Sequence, residues 1–428
     1  MSLLTIGLLL FALVLIGVPI AVSLGVVAIV AMLTGPGGVG SLPNAALVMF
    51  DGATSFPLIA IPLFILAGAI MNASGISRRL IAFASAMVGF IRGGLAMVTI
   101  SASLFFAEIS GSAVADVAAL GSILIPAMEK KGYSRAFAAA VTSSSATLAV
   151  IIPPSIPMII YGVMSGTSIV ELFVAGIVPG VLGGGLMMLV AYGLARKHDF
   201  PREQAFEFQR VWDTFKDAVW ALLLPVIILG GIFSGWVTAT EGAGLAVVAS
   251  IGIGGLVYRE LDWPLLRRAM LEGGQQTAVV MLLVAASALL GDYLTEVRVP
   301  QAVAQSIMAF TQERWAILLL LNCFFLVIGL FLHSAAAIIL VVPIVMPLVQ
   351  AAGIDPVHFG LIVTLNLGIG QQTPPVASVL VTACSVAKAD IWEVSKVNVY
   401  FVAVLVAMLL LVTYVPIVPL ALVELFYR

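Results

Sequence analysis

PAMEKKG (126–132), then twenty residues, then Pro153-Pro154; PLVQAAG (347–353), then twenty residues, then Pro374-Pro375: the chain carries one skeleton twice. The copies are offset by 347 − 126 = 221 positions, and that offset maps all four markers. Both proline pairs lie inside long apolar runs. A proline lacks the backbone N–H and crowds the carbonyl one turn back, so adjacent prolines open a helix and free several carbonyls. In hydrocarbon such groups need partners, and irregular backbone survives only where protein or a cavity covers it. A repeated, proline-broken helix is how secondary transporters assemble a binding site at mid-membrane.

Composition agrees with a membrane setting. Of 428 residues, 62% are hydrophobic and 9% charged, against about 25% charged in soluble domains. Apolar stretches of about 20 residues, long enough to span as helices, recur along the chain, and the period-2 segments of a barrel are absent. The expected fold is therefore an all-α polytopic membrane protein. Cys323 and Cys384 lie in apolar runs without disulfide or metal spacing and read as small buried hydrophobes. The N-terminus lacks a basic region and a cleavage site, so it reads as a first span rather than a signal peptide.

The spacing predicts a first span at about 3–33, a Gly/Pro-rich loop at 35–44, and a second long span ending near Asn72. A shorter apolar segment follows SGISRR (74–79) and ends at Gly89. Two stretches of about 15 residues flank Ser110-Gly111-Ser112, too short to cross, so a re-entrant hairpin is expected at 94–128. A broken segment (134–165) and a span (171–194) complete the first half. The polar loop 195–217 is a candidate surface amphipathic helix. Spans at 218–236, 240–257 and 274–295 follow, then a second short hairpin (315–330 and 334–350), a second broken segment (357–385) and a last span at 397–424.

Sixteen of the nineteen Lys and Arg residues fall in loops on one side of this scheme; Arg298, Arg314 and Arg428 fall on the other. By the positive-inside rule the first side is cytoplasmic, with the N-terminus inside and the C-terminus periplasmic. The two hairpins then open from opposite sides, so the repeats are inverted. The whole of 1–428 reads as one membrane domain: 1–90 scaffold and arm of the first repeat, 91–165 first hairpin and broken helix, 166–300 connecting spans with the second scaffold and arm, 301–390 second hairpin and broken helix, and 391–428 the last span. Spans near 3–72 and 218–295 are the expected scaffold.

Each half offers a hairpin tip and a break. The first pairs Ser110, Gly111 and Ser112 with 149–155; the second pairs 329–334 with 368–376. Thr142, Ser143, Ser144, Ser145 and Thr147 precede the first break, and Asn366, Gln371, Gln372 and Thr373 precede or enter the second. Freed carbonyls and hydroxyls are hard oxygen ligands, and no carboxylate stands beside either break, which favours sodium over a divalent cation. Helix N-termini at the tips attract anions. A single proline kink often binds nothing, and Ser or Gly at an interface often only permits close packing. Two matched breaks, two short hairpins and inverted charge together point to a transport site.

Six strings carry a family resemblance: IPLFILAGAIMNASGIS (61–77), ISGSAVAD (109–116), IIPPSIPMIIYG (151–162), GGIFSGWVTATEGAG (230–244), AAGIDPVHFG (351–360) and NLGIGQQTPP (366–375). Spread over nearly the whole chain, they resemble the large transmembrane subunit of tripartite ATP-independent periplasmic (TRAP) transporters, the DctM-like family. The resemblance implies a sodium-driven, elevator-type importer of a small organic anion of the carboxylate class in the bacterial inner membrane. It also implies two protein partners, a small transmembrane subunit and a periplasmic solute-binding protein, with no nucleic acid and no cofactor beyond sodium as coupling ion. At this chain length the small subunit is expected on a separate chain.

Carried over by motif, one sodium site uses Ser110 with the carbonyls of Ala149, Ile152 and Pro153. The other uses Gly329, Gly370, Thr373 and Val376. Substrate is expected near Ser112, Pro154, Ser155, His333, Ser334 and Ala377. Ala149 departs from the family's usual glycine, and His333 from an aspartate common at the second tip. Among the acids in or near apolar runs, Glu108 and Asp116 flank the first tip, Asp292 reads as an interface residue, and Glu241 reads as a contact between repeats or with the small subunit. The six tryptophans fall near span ends, as interface anchors do.

Three rival readings remain. A stand-alone sodium-coupled carrier of dicarboxylates or oxyanions would work without a binding protein. An intramembrane hydrolase built on Ser110 or Ser112 needs a nearby base, and the sequence places no histidine or lysine by that tip. A passive channel conflicts with paired hairpins closing on a site. The chain is expected not to be an enzyme.

Overall fold

The computed structural model describes residues 3–35, 38–110, 112–202, 205–374 and 376–428, apart from the side chains of Leu3, Leu4, Leu15, Glu108, Ile109 and Ser110. The regular elements among them are helical. In order they are α1 (Leu3–Leu15), α2 (Ile20–Thr34), α3 (Leu42–Thr54), α4 (Ala60–Ala73), α5 (Ile76–Val88), α6 (Gly94–Ser110), α7 (Ala113–Lys130), α8 (Arg135–Ala146), α9 (Ile156–Ser165) and α10 (Ile169–Lys197). Then come α11 (Phe208–Phe233), α12 (Ala239–Gly252), α13 (Trp263–Glu296), α14 (Val299–Phe310), α15 (Arg314–Gly329), α16 (Ser334–Ala351), α17 (Pro356–Gly370), α18 (Ser378–Ala387), α19 (Ile391–Tyr414) and α20 (Ile417–Tyr427). Seven helical runs among the described residues are long and apolar enough to cross a membrane.

The 221-residue offset extends to element bounds. Adding it to α7 (113–130) gives 334–351, the bounds of α16; adding it to the start of α8 gives the start of α17, and to the start of α3 the start of α13. The marker glycines explain part of this. Gly132 and Gly353 follow the ends of α7 and α16 in the left-handed region (φ +86° and +64°), where glycine has no steric penalty. The amide three residues past each helix reaches back five positions (Tyr133 N to Met128 O, Ile354 N to Val349 O), the bond that closes a helix end on such a glycine. Ser134 and Asp355 then cap α8 and α17.

Several expected spans are broken or merged, each for a local reason. The expected first span is two helices, because Gly17 turns left-handed (φ +85°) and Pro19 restarts the chain. The second is interrupted at Phe56–Ile59 by a 3-10 turn holding Pro57. Its counterpart in the other half, position 278, is Ala278, and α13 runs unbroken for 34 residues. The last span ends at Tyr414, and Pro416 starts α20. The candidate amphipathic helix at 195–217 is not separate: residues 208–217 are the first turns of α11. Cys323, read as buried, is exposed on α15; Cys384 is buried. Glu241 forms a capping box, accepting from the Thr238 amide at 2.8 Å and hydroxyl at 2.9 Å. The six tryptophans are all exposed, as lipid-interface residues are.

Two groups of helices result. α13 packs along α2, α3 and α4, with α12 on α4 and α11 on α5 and α12. α6 to α9 pack with α15 to α18, and α10 and α19 lie against that group. The broken segments run antiparallel: the Tyr161 hydroxyl near the end of α9 donates to Pro356 O at the start of α17 (2.7 Å), while Gln372, just past α17, meets Thr147 just past α8. This is the packing of inverted repeats.

Polar clusters mark the two ends of α10, a helix about 43 Å long at 1.5 Å per residue. At its start, Arg428 pairs with Glu171 (3.1 Å) and Asp355 (2.6 Å). Just past its end, Asp199 pairs with Arg92, and the Phe200 ring packs at a tilt on Tyr133. A third cluster ties α5 to α11 and to the loop after α12. Arg79 pairs with Glu260 (2.8 Å) and Asp217 (3.2 Å) and lies 3.8 Å over the Tyr258 ring. Hydrogen bonding to Arg79 holds the Glu260 carboxyl below its ordinary 4.5. A depressed carboxylate contributes stability that is present above its unfolded value and fades as pH falls through its folded one. Arg79→Met is therefore expected to lower stability by about 2 kcal/mol at pH 7 and by less at pH 4. Thermal unfolding in detergent at both pH values checks this; an equal loss at both would contradict it.

Candidate functional site

The first break begins where α8 tightens into a 3-10 turn at Thr147–Val150. In a continuous helix the carbonyls of Ala149 and Val150 would accept from residues 153 and 154, but these are prolines with no N–H. The Ser155 hydroxyl replaces one lost donor, reaching Val150 O at 2.7 Å. The same oxygen caps α9, accepting from the Met158 amide at 3.4 Å. The Pro153–Pro154 peptide is cis. Ser155 thus straps the gap, and Ala149 O keeps a lone-pair face without its helical donor. Ser155→Ala is expected to cost about 1–2 kcal/mol, for one cap and one buried bond, read as a lower melting temperature; no change would mean the strap is idle.

The second break repeats this logic at +221. Gly370 and Gln371 occupy the positions of Ala149 and Val150, and Pro374 and Pro375 remove their helical donors. The Thr373 amide serves Gly370 O at 3.1 Å, and the amides of Val379 and Leu380 serve Gln371 O at 3.3 and 3.5 Å. Ala377, ahead of α18, is buried with φ +42°, a strained conformation for a non-glycine residue. The Ser378 hydroxyl beside it is buried with no hydrogen-bond partner among the described residues.

Each hairpin packs against its own break. α6 and α7 both pack on the 3-10 turn of the first break. Gly329 and Gly370 touch backbone to backbone: a Cβ on Gly370 would fall 2.3 Å from the Gly329 carbonyl carbon. Ser334, at the second tip, accepts from the Gln371 side-chain amide. Gly329, Gly370 and Thr373 therefore converge; Val376 is exposed beyond them. In the first set Ala149, Ile152 and Pro153 are buried together, and Ser110 closes α6. The Ser110 side chain, Gly111 and Pro375 lie outside the described residues, as does the Glu108 side chain.

The expected substrate positions divide. Ser112 caps α7 through the Ala115 amide (3.5 Å) and lines a cleft of ≈ 440 Å³ between α7 and the α4/α13 pair, whose walls carry Asn72, Ser77, Arg268, Glu272 and Gln276. Pro154, Ser155, Ser334 and Ala377 are buried at the breaks and the second tip; His333 precedes α16 and is exposed. Asp116 is buried in the first turn of α7, where a helix N-terminus favours an acid.

The sequence singled out Ser144, Asn366 and Gln372 but not their partners Asn398, Asn322 and Thr413. Asn398 on α19 bonds both Ser144 and Gln372. Asn366 donates to Asn322 (2.7 Å), which donates to Thr413 (3.1 Å). A lone asparagine in an apolar span is costly without a partner, and that was the available signal. No group of three or more His, Cys, Asp or Glu that could hold a metal ion gathers among the described residues.

A sequence model described as the tripartite ATP-independent periplasmic transporter, DctM component, matches residues 8–418. The chain belongs to this family. Its members are transporters, not enzymes. The isethionate TRAP transporter permease protein DctMQ of Oleidesulfovibrio alaskensis is 43% identical, over 94% of this chain and 64% of that protein's length. The C4-dicarboxylate TRAP transporter large permease protein DctM of Pseudomonas aeruginosa is 40% identical, over 89% of this chain and 90% of that one. A solved structure, the YdaH transporter of Alcanivorax borkumensis, shares the fold with a TM-score of 0.61 at 15% identity, covering 89% of each chain. For a member of the DctM family, two proline breaks meeting at the centre are the natural place to seek the transport site.

Proposed function

We propose that this chain is the large permease subunit of a sodium-driven TRAP importer for a small organic anion. The carrying observation is that each hairpin packs on a proline break whose carbonyls have lost their helical donors, the second tip meeting its break backbone to backbone. Sodium is held by neutral oxygens, those of Ser110, Ala149, Ile152 and Pro153 in one site and of Gly329, Gly370, Thr373 and Val376 in the other. The anion binds where α7, α9, α16 and α18 begin, since helix N-termini favour negative charge and the Ser378 hydroxyl there has no hydrogen-bond partner among the described residues. The names of the two relatives, isethionate and C4-dicarboxylate, fit that substrate class.

The group holding both hairpins moves as a body against the group built on α13, in elevator fashion, and the cleft beside Ser112 is the route on one side. The end of the molecule carrying Arg79, Arg92 and Lys130 faces the cytoplasm, with the C-terminus periplasmic. A small transmembrane subunit and a periplasmic solute-binding protein complete the complex. Uptake into proteoliposomes holding this chain and its small subunit tests the reading, with and without an inward sodium gradient and with and without the binding protein. Uptake that needs both is expected. Uptake with sodium alone would make it a stand-alone carrier, and uptake without sodium would overturn the coupling ion.

A further inference from the structure

We propose that Gln372, Asn398, Ser144 and Thr147 form a coupling element that makes occupancy of the two tip-and-break sites interdependent; the inference rests on the two cation sites proposed above. Gln372 stands directly before Thr373 in the second break, yet its side chain reaches the first. Its Nε2 donates to Ser143 O at 2.8 Å and to the Thr147 hydroxyl. Thr147 opens the 3-10 turn that presents Ala149.

Asn398 on α19 closes the ring. Its Nδ2 donates to Gln372 Oε1 (3.2 Å) and to Gln372 O (3.4 Å), and its Oδ1 accepts from the Ser144 hydroxyl. Ser143, Ser144, Thr147, Gln372 and Asn398 are each at most 2% exposed. Both amides are used at both ends, and buried as they are neither can release a partner cheaply. The ring therefore moves as a unit.

Packing leaves it no slack. A Cβ on Gly368 would meet Val150 Cγ2 at 2.9 Å and Thr147 Cγ2 at 3.0 Å, so the breaks are already pressed together. A cation that orders the Ala149 carbonyl fixes Thr147, and through Gln372 it fixes the main chain at Thr373. The reverse path has the same strength, because coupling free energy is reciprocal. The bridge comes from one repeat only: the position equivalent to Gln372 is 372 − 221 = 151, an isoleucine.

Sodium titration by calorimetry on the full chain in lipid nanodiscs tests this, comparing wild type with Asn398→Leu, Gln372→Met and Ser144→Ala. Wild type is expected to bind with a Hill coefficient above one. Asn398→Leu and Gln372→Met are expected to bring it to one, with the weaker site losing roughly tenfold in affinity, inside the usual range of coupling. Ser144→Ala keeps the bridge to α8 and is expected to fall between; if the larger changes prevent folding, this variant decides. Unchanged steepness with weaker affinity would reduce the ring to packing. Non-cooperative binding by wild type would overturn the coupling while leaving the sodium sites, and absence of binding would remove both.

Discussion

Gly370→Ala is expected to abolish sodium-dependent uptake. The added methyl would sit 2.3 Å from the Gly329 carbonyl carbon and 2.5 Å from its Cα and oxygen. All three are backbone atoms, so no side-chain rotation relieves the clash; the tip and the break must separate. Overpacking a core typically costs about 1–3 kcal/mol, and here the cost falls on two helix ends bearing three of the proposed cation ligands. Displacing positioned groups by about 1 Å changes rates by about 100-fold, and a loss of that order in uptake is expected, with the chain still eluting as a folded species. Gly329→Ala is the milder partner, because its Cβ would meet Gly370 Cα at 3.2 Å. Near-normal uptake by Gly370→Ala would show that the tip is free to withdraw and that the contact does not shape a binding site.

Gly176→Ala should damage the other break. A Cβ there would lie 2.0 Å from Ile151 O and 3.0 Å from the Met158 side chain. Met158 can adjust; the Ile151 carbonyl cannot, held between the 3-10 turn and two prolines. The peptide must turn, carrying the Ile152 and Pro153 carbonyls with it. The expected result is a drop in sodium affinity of at least about tenfold, equivalent to about 1.4 kcal/mol, together with a lower melting temperature. Gly185→Ala, on the same helix with open space around its Cβ position, should leave both unchanged. Equal behaviour of the two variants would count against a role for α10 in setting the break.

These predictions separate what was legible from what was not. The markers at 126–132 and 347–353 located both hairpins and both breaks to within a few residues, because proline and glycine act through covalent geometry that the surroundings do not alter. The same chemistry misled where its reach was underestimated: Pro19, Pro57 and Pro416 each divide what was read as a single span. Hydropathy could not mark those points, since the residues around them are as apolar as the rest. Cys323 fails for a related reason, because in a membrane protein an apolar run does not tell a core face from an exposed one.

The sequence by itself determined the class, the duplication, the inversion and the positions of the breaks, since apolar length, the 221-residue offset and charge placement are one-dimensional quantities. Tertiary structure decided which oxygens keep a donor. Val150 O is served by Ser155, Gly370 O by the Thr373 amide, and Gln371 O by Val379 and Leu380. It also decided that Gly370 rests on Gly329, Gly176 on Ile151 and Gln372 on Thr147, pairs between 25 and 225 positions apart. Hydrogen-bond partnership and close approach depend on distance in space, and only the packed helices fix those distances.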